Sequence, residues 1–312
     1  MLKANALCKT YGSRQALRDV NFSADRGELI GLIGQNGAGK TTLLNVLAGR
    51  LAPTSGDVEI NGHDVLWEPE LARNAIGYFP ETPALYEEMT VSALLRFVAR
   101  LKRVVPEDVE RHIRELEEKT AITEVAGRVI GHLSRGYRQR VGLAAALVGD
   151  PEIILLDEPT NGLDPVQIRQ FRDFVRELAR ERLVILSTHI LGDLDGLCTR
   201  ALILRDGRLI RDLCMDENAS ENRVLRADLA LGRDAAMRLL EALPSVVEVR
   251  PLDGQVPGVT RVLLTCGREA PLEREMSRTL RESDVPLLRL NPVRSELEEV
   301  FLSAVTEATQ GE

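Results

Sequence analysis

Cysteine and aromatic residues are scarce in this sequence. Among its 312 residues there are four cysteines and one tryptophan, and aromatic residues make up only 4%. The cysteines are scattered and include no C-x-x-C pair: Cys8, Cys198, Cys214 and Cys266. This spacing indicates neither a zinc site nor a disulfide framework, and it favours a reducing compartment such as the cytosol.

Long apolar stretches are missing as well. No run approaches the ~18–20 residues of a membrane-spanning helix, and the stretch MLKANALCKTYGSRQAL lacks the apolar core of a secretion signal. With 48 acidic and 40 basic residues the net charge is −8, which argues against a general nucleic-acid binder. With 44% hydrophobic residues, we expect a soluble globular chain with one large and one small domain.

The order of apolar segments predicts an α/β fold for the larger domain, over residues 1–214. Short apolar runs alternate there with amphipathic segments, which is typical of a mostly parallel sheet with covering helices. Three runs read as strands buried on both faces: ELIGLIG (28–34), IILLDE (153–158) and LVILST (183–188). The segment ALILRDGRLIRD predicts an antiparallel hairpin that turns at Asp206 and Gly207.

A helix-rich subdomain is predicted within this domain, at about 83–150. The segments EEMTVSALLRFVARLKR and PEDVERHIRELEEK are both amphipathic. Because proline favours the first helical position, we expect the second helix to begin at Pro106. A polar, unperiodic linker follows the domain at 215–223.

The remaining residues, 224–312, predict a small α+β accessory domain. VLRADLA, VVEVRPL, TRVLLTCG and PLLRLNPV read as strands, while RDAAMRLLEAL and PLEREMSRTLRES read as helices. The resulting order, β-α-β-β-α-β, is that of a ferredoxin-like fold. A last helix, SELEEVFLSAVTEA, is expected to begin at Ser295, with Glu298 completing a capping box.

The stretch GQNGAGKTT lies between a predicted strand and the helical run LLNVLAG, and it matches G-x-x-x-x-G-K-S/T. Backbone N–H groups of such a loop point at phosphate oxygens, Lys40 would reach the β- and γ-phosphates, and the Thr41 hydroxyl would coordinate Mg²⁺. A glycine-rich surface turn is the alternative, but the strand–loop–helix context favours phosphate binding. The predicted phosphate-binding residues are Gly34, Gln35, Asn36, Gly37, Ala38, Gly39, Lys40, Thr41 and Thr42.

Polar residues end two of the predicted buried strands. Asp157 would lie at the carboxyl edge of the sheet, where α/β sheets bind ligands, and there it could hold magnesium. Glu158 could orient or deprotonate a water, and His189 could donate a hydrogen bond to a γ-phosphate. Each residue alone is more often structural; next to a phosphate loop, the functional interpretation is favoured.

The stretch LSRGYRQR (133–140) places three arginines at the start of a helix. Helix N-termini disfavour cations, because their free N–H groups already make that end positive. Either the arginines are solvated surface residues, or a strongly negative group docks there.

Six stretches in order extend the pattern: KTYGSRQAL, GQNGAGKTT, YFPETPALYEEMT, LSRGYRQR, IILLDEPTNGLDP and STHIL. Across about residues 1–212 the chain resembles the ATP-binding subunit of an ABC transporter, and it is most similar to the drug-resistance and gliding-motility exporter group. The resemblance implies an ATPase that uses ATP and Mg²⁺ and drives a separate membrane permease. It also implies a cytoplasmic location, peripheral on the inner face of the cell membrane through that permease, and no nucleic-acid partner.

The resemblance also implies roles for single residues. Tyr11 would stack on adenine, and residues 34–42 would be the Walker A loop. Asp157 would be the Walker B aspartate, Glu158 the catalytic glutamate and His189 the switch histidine.

Further roles follow from the family's head-to-tail pairing of two ATP-binding domains. Ser134 and Gly136 would form the ABC signature, which faces the ATP held by a second ATP-binding subunit, and Asp164 would be the D-loop aspartate. The phosphates of that ATP would then be the negative group beside the arginines. A homodimer is the expectation, and a heterodimer remains open.

Three residues depart from the commonest family pattern. Arg135 and Tyr137 stand where LSGGQ has glycine and glutamine, and Glu81 stands where many members have a glutamine that contacts the metal and nucleotide. A carboxylate lacks the donor group of an amide, so the chemistry at Glu81 differs.

The competing class is a soluble ABC ATPase of translation or DNA repair. Translation-factor members usually carry two cassettes, and repair members carry coiled-coil or zinc insertions, none of which is present here. The transported substrate is not readable from the chain: drug, polysaccharide, lipid, metal-cluster assembly and motility roles remain open.

Overall fold

The computed structural model describes residues 1–190, 194, 196–215, 222–252, 258–267 and 270–292. The chain separates into two compact units, Met1–Cys214 and Met215–Glu312. Each is described by itself.

The described part of the first unit contains ten strands and six α-helices. The strands are β1 (Leu2–Tyr11), β2 (Arg14–Ala24), β3 (Leu29–Ile33), β4 (Ser55–Ile60), β5 (His63–Asp64), β6 (Ile76–Phe79), β7 (Ile153–Asp157), β8 (Leu183–Thr188), β9 (Arg200–Arg205) and β10 (Arg208–Cys214). The helices are α1 (Lys40–Leu47), α2 (Pro69–Asn74), α3 (Val91–Leu101), α4 (Val109–Lys119), α5 (Arg135–Leu147) and α6 (Pro165–Ala179).

A six-stranded sheet, in the order β10-β9-β3-β8-β7-β6, forms the centre of this unit. Its strands run parallel except for the β9–β10 hairpin. Every residue of β3, β7 and β8 is buried, as their unbroken apolar runs predict. The parallel register places Ile33 beside Thr188 and Asp157 beside Ser187, so the carboxyl ends of three strands meet at one edge.

A second, antiparallel sheet in the order β2-β1-β4-β5 lies against the first. One apolar core joins the two sheets through α1, and it includes Leu7 of β1, Leu44 of α1 and Leu155 of β7. Because α1 is packed on both sides, its first residue is held at a fixed place beside the sheet edge. Helix α1 is followed by Gly49, whose positive φ of 63° suits the end of a helix.

The helix-rich segment contains α3, α4 and α5. The Thr90 side chain caps α3 by accepting a hydrogen bond from the Ala93 N–H at 3.3 Å. The predicted start of α4 at Pro106 is wrong, because the helix begins at Val109. The Asp108 N–H donates to the Val105 carbonyl at 2.9 Å, so a separate turn precedes the helix.

The second unit contains β11 (Asn222–Leu229), α7 (Arg233–Glu241), β12 (Val246–Pro251), β13 (Thr260–Gly267), α8 (Leu272–Glu282) and β14 (Leu287–Pro292). Its antiparallel sheet has the order β12-β13-β11-β14, the arrangement of a ferredoxin-like fold. Alternate residues of β13 are buried, and they share a core with α7 and α8 through Leu240, Leu264 and Met276.

The boundary between the predicted linker and the second unit differs from the sequence prediction. Strand β11 begins at Asn222, inside the linker predicted over 215–223. The last predicted helix, from Ser295, lies outside the described residues.

The β9–β10 hairpin turns at the predicted residues, Asp206 and Gly207, whose φ angles are 47° and 77°. The turn is docked on the segment that follows β3. The Gly207 N–H donates to the Ala38 carbonyl at 2.9 Å, and the Arg18 N–H donates to the Gly207 carbonyl at 2.7 Å. The hairpin therefore braces the predicted phosphate loop.

Substituting this glycine tests the brace. A Cβ at Gly207 would lie 2.6 Å from the Ala16 carbonyl oxygen, whereas Gly12, also at positive φ, has no atom within 4 Å of its Cβ position. Gly12→Ala is expected to lower the free energy of unfolding by about 1–2 kcal/mol, the cost of a left-handed alanine. Gly207→Ala should cost at least ~1 kcal/mol more, because the neighbouring backbone must shift. Urea unfolding of both variants measures the difference, and equal losses would contradict the close contact.

Candidate functional site

An open cleft of about 570 Å³ lies where β3, β7 and β8 end. Residues from five of the stretches singled out in the sequence line it together. The lining residues are Tyr11, Arg14, Ala16, Asn36, Gly37, Gly39, Lys40, Thr41, Thr42, Glu81, Glu158, Asn161 and His189. Arg14, Ala16 and Asn161 were not predicted as site residues. Arg14 donates to the Gly37 carbonyl at 3.4 Å, and Asn161 donates to Glu81 Oε1 at 3.5 Å.

The loop between β3 and α1 wraps around a buried cation. Lys40, the first residue of α1, is only 6% exposed, and its Nζ donates to the Gly34 carbonyl at 2.7 Å and to the Gln35 carbonyl at 3.4 Å. Gly39 precedes it at a φ of 109°, and a Cβ there would lie 2.6 Å from the Ala16 carbonyl oxygen. The free N–H groups of the α1 N-terminus and this ammonium together make an anion site.

Glu158 contacts two other predicted site residues. Its Oε1 lies 3.3 Å from Lys40 Nζ, and its Oε2 lies 2.8 Å from His189 Nδ1. The Glu158 backbone has a φ of 47°, so a left-handed turn, and not strand alternation, sets the direction of the side chain. The Glu158 N–H donates to Ser187 Oγ at 2.9 Å, which holds the turn against the end of β8.

Asp157 is 1% exposed and is only half satisfied by the protein. Ser187 Oγ donates to its Oδ1 at 2.6 Å, while its Oδ2 is buried without a hydrogen-bond partner. A buried carboxylate oxygen that has no hydrogen-bond donor is a favourable ligand for a cation. The hydroxyl of Thr41 and the carboxylate of Glu81 line the neighbouring cleft. Oxygen ligands of these types fit Mg²⁺, which takes few protein ligands and completes its shell with phosphates and water.

Two residues beside Asp157 were missed by sequence reasoning. Ser187 is assigned by the parallel register of β7 and β8, which no local pattern reveals. On β6, burial and, to a smaller extent, the negative charge of Asp157 raise the pKa of Tyr78 to about 12. The Arg50 guanidinium lies 5.0 Å from the Tyr78 ring centroid. The phenol beside the carboxylate therefore stays protonated even at a pH at which an ordinary tyrosine ionises.

Tyr11 lies at the rim of the cleft with 49% of its surface exposed. Lys9 Nζ lies 5.3 Å from the ring centroid, within cation–π distance. An exposed aromatic ring held beside a phosphate site is a platform on which a planar base can stack.

Ser134, Gly136 and Asp164 do not line the cleft. Ser134 caps α5, its Oγ accepting the Tyr137 N–H at 3.4 Å, and Asp164 caps α6 in a capping box with Gln167. A Cβ at Gly136 would lie 3.6 Å from the Gln167 side chain, so the two helix starts are neighbours. These three residues are the ones that the resemblance assigned to contact with a second subunit. Four other predicted site residues lie next to the cleft without lining it: Gly34, Gln35, Ala38 and Asp157.

The three arginines of LSRGYRQR have different surroundings. Arg138 lies 3.4 Å from Glu87 Oε1, and Arg140 donates to the Ala121 carbonyl and to Gln170 Oε1, both at 3.4 Å. Arg135 makes no ion pair with the acidic residues that the structure describes. Tyr137, which stands where the common family pattern has glutamine, donates its hydroxyl hydrogen to Glu124 Oε1.

The loop on β3 and α1, with Asp157 and Glu158 at the end of β7, defines a P-loop ATPase cassette. The family model described as ABC transporter matches residues 17–161. The daunorubicin resistance ATP-binding protein DrrA3 of Streptomyces coeruleorubidus is 34% identical over 94% of this chain and 92% of its own length. The bacitracin transport ATP-binding protein BcrA of Bacillus licheniformis is 29% identical over 100% of this chain and 99% of its own length.

A solved structure supports the same assignment. The dimeric cassette MJ0796, in a post-hydrolysis state with ADP and Pi, is similar over 69% of this chain and 99% of that chain, with a TM-score of 0.65 and 26% identity. The chain belongs to the ATP-binding proteins of ABC transporters, and it is an ATPase. Among the helices of the described ranges, none has the length and apolar character to cross a membrane.

Removing one hydroxyl tests the arrangement at the strand ends. Ser187→Ala leaves the Glu158 N–H and Asp157 Oδ1 without their shared partner in buried surroundings. The free energy of unfolding is expected to fall by about 1–3 kcal/mol, the usual cost of a buried unsatisfied group. Ser13→Ala, in the exposed turn between β1 and β2, is the control and should change it by under ~0.5 kcal/mol. Denaturant unfolding measures both, and equal stabilities would remove Ser187 from this role.

Proposed function

We propose that this chain hydrolyses MgATP as the ATPase of an ABC exporter and drives a separate membrane permease. The contact of Glu158 with both Lys40 and His189 is the observation that carries the proposal. A carboxylate, an ammonium and an imidazole lie together there, and this supports a γ-phosphate position beside them if Lys40 is the cation of the phosphate loop.

ATP would occupy the cleft from rim to floor. Adenine stacks on Tyr11, and the phosphates accept hydrogen bonds from the backbone of residues 34–42 and from Lys40. Thr41, Asp157 and Glu81 would hold a magnesium ion, which when bound would neutralise charge that develops on the phosphates. The unsatisfied Asp157 Oδ2 supports this assignment.

Glu158 serves as the general base for the attacking water. One oxygen bonds to His189 and the other approaches Lys40, so the carboxylate is fixed next to the site of attack. As the water oxygen bonds to the γ-phosphorus, its proton passes to Glu158 and the bond to the ADP oxygen breaks. His189 donates a hydrogen bond to the γ-phosphate or orients Glu158 through the same contact.

The working unit is a two-fold dimer of this chain. A two-fold axis makes the contacts reciprocal, so the starts of α5 and α6 on one copy meet the cleft of the other. Ser134, Gly136 and the α5 N-terminus supply an anion site for the γ-phosphate, and Asp164 helps to couple the two clefts. The MJ0796 cassette, which is dimeric, supports this arrangement.

The transport partner is a separate permease, contacted through the segment after Glu81 and the helices of 83–150. The bacitracin and daunorubicin relatives support the direction of export. The chain would act in the cytoplasm, on the inner face of the membrane, and the net charge of −8 argues against nucleic acid as a partner. The ferredoxin-like unit contributes a dimer contact or regulation.

Neutralising the general base separates binding from turnover. Glu158→Gln keeps the shape of the side chain but cannot accept the proton, so kcat is expected to fall by at least about 100-fold, as for the loss of general-base catalysis. ATP affinity should stay within about threefold, and ATP-loaded dimer should accumulate. Phosphate release measures kcat, a nucleotide-binding assay measures ATP affinity, and light scattering measures the amount of dimer. Glu59→Gln, on the surface of β4, is the control for charge loss; normal turnover in Glu158→Gln would exclude the base assignment.

The permease can be identified directly. The tagged chain, isolated from detergent-solubilised native membranes, is expected to bring down a multi-span membrane protein in stoichiometric amount, as mass spectrometry would show. Recovery only from the soluble fraction, together with ribosomal or DNA-repair proteins, would overturn the transporter assignment and favour a soluble ABC ATPase.

A further inference from the structure

An arginine lines the nucleotide cleft in addition to Lys40. Arg14 begins β2, and only Gly12 and Ser13 separate it from Tyr11 at the end of β1. Tyr11 and Arg14 are direct partners across this hairpin. Because the side chains of directly opposed residues in an antiparallel pair lie on the same face of the sheet, the ring and the guanidinium are held side by side. Both residues line the cleft.

The Arg14 guanidinium also reaches the phosphate loop. Its Nη2 donates to the Gly37 carbonyl at 3.4 Å, and a Cβ at Gly37 would lie 3.4 Å from the same nitrogen. Arg14 therefore lies between Tyr11, the platform proposed for adenine, and the loop proposed for the phosphates. A nucleotide that contacts both of these features passes beside the guanidinium.

The charge of Arg14 is not compensated by the protein. Among the residues that the structure describes, no ion pair joins Arg14 to an acidic side chain, and its bond to Gly37 ends on a neutral carbonyl. Lys40 differs, because its ammonium lies 3.3 Å from Glu158 Oε1. An uncompensated cation in a cleft attracts anions and forms charge-assisted hydrogen bonds with them.

Two simpler roles for Arg14 are a solvated surface cation and a brace for the loop. A brace would be weak, because 3.4 Å is at the long end of hydrogen-bond distances. A guanidinium has five N–H donors, and within the described ranges the bond to Gly37 uses a single one of them. The remaining donors are available to a ligand, and their position beside both Tyr11 and Gly37 favours a ligand over solvent alone.

We propose that Arg14 is a nucleotide-binding residue, whose guanidinium donates to the phosphates from the same hairpin that presents Tyr11 to the base. The β1–β2 hairpin then contacts both parts of the nucleotide, whereas residues 34–42 contact the phosphates. The inference rests on the proposed function, because its ligand is the nucleotide of that cleft.

Calorimetric titration of the full chain with MgADP tests the contact. Arg14→Gln removes the charge and keeps a polar side chain. The Kd for MgADP is expected to rise about five- to tenfold, since a hydrogen bond to a charged group is lost at an exposed site. A change of less than about twofold would overturn the proposal.

Two further readouts separate a phosphate contact from a structural role. Magnesium tripolyphosphate carries phosphates without a base, so Arg14→Gln should weaken its binding by a similar factor; unchanged binding would show that the substitution acts through Tyr11 and the base. Raising the salt concentration from about 0.05 to 0.5 M should weaken MgADP binding less in Arg14→Gln than in the native chain, because an exposed charge contact is screened. Equal salt dependence in both would leave Arg14 as a brace and refute the phosphate contact.

Arg26→Gln is the matched control. Arg26, between β2 and β3, is also exposed and donates to a backbone carbonyl, that of Glu181, but it does not line the cleft. Its substitution should change the Kd for MgADP by less than about twofold. An equal loss there would show that overall charge sets the affinity, and it would overturn the contact with Arg14.

A second control distinguishes failure of the inference from failure of the proposed function. Lys40→Ala should lose MgADP binding, because Lys40 is the cation of the phosphate loop. Undiminished binding in Lys40→Ala, or no binding by the native chain, would refute the proposed nucleotide site. Equal binding by the native chain and Arg14→Gln, with loss in Lys40→Ala, would refute the Arg14 contact alone. Thermal melting checks that every variant is folded.

Discussion

The parallel hydrogen bonding of β3, β8 and β7 is the constraint on which the site depends. It places the ends of three strands side by side, so that the phosphate loop, His189 and the Asp157–Glu158 pair start from one edge. Ser187 then serves both acidic residues, as a donor to Asp157 and as an acceptor from the Glu158 N–H. A slip of one residue in the β7–β8 register would separate these groups and turn the side chains to the other face.

The charges of the cleft suit a ligand that carries both negative groups and a bound cation. Lys40 is surrounded by backbone carbonyls and Glu158, so its ammonium is already compensated before any phosphate binds. Asp157 keeps one buried oxygen free of protein donors. A polyanion accompanied by a divalent cation satisfies both conditions, because the cation meets the carboxylate and the polyanion meets the ammonium and the α1 N-terminus. An anion alone would leave Asp157 uncompensated.

The sequence predicted most reliably those features that depend on local chemistry. The strand–loop–helix around Lys40, the three buried strands and the Asp206–Gly207 turn each follow from a few neighbouring residues, and the structure contains all of them. The start of α4 was not, because the preference of proline for a first helical position was outweighed by a separate turn at 105–108. Ser187 and Tyr78 could not be found, since their importance depends on which strands are neighbours. The partners of Arg138 and Arg140 were equally hidden, because they depend on the packing of α5 against distant segments.

The turn at Gly207 has a mechanical consequence. Its N–H is bonded to the Ala38 carbonyl, within the loop that wraps Lys40, and β10 leads from the same turn to Cys214, where the first unit ends. The loop and the covalent path to the second unit are thus linked through a single short strand. Since β10 is paired with β9 along its length, a displacement of the whole hairpin would move the Ala38 carbonyl through its bond to the Gly207 N–H, and a rearrangement of the loop would shift the hairpin turn. The hairpin is therefore a tether as well as the edge of a sheet.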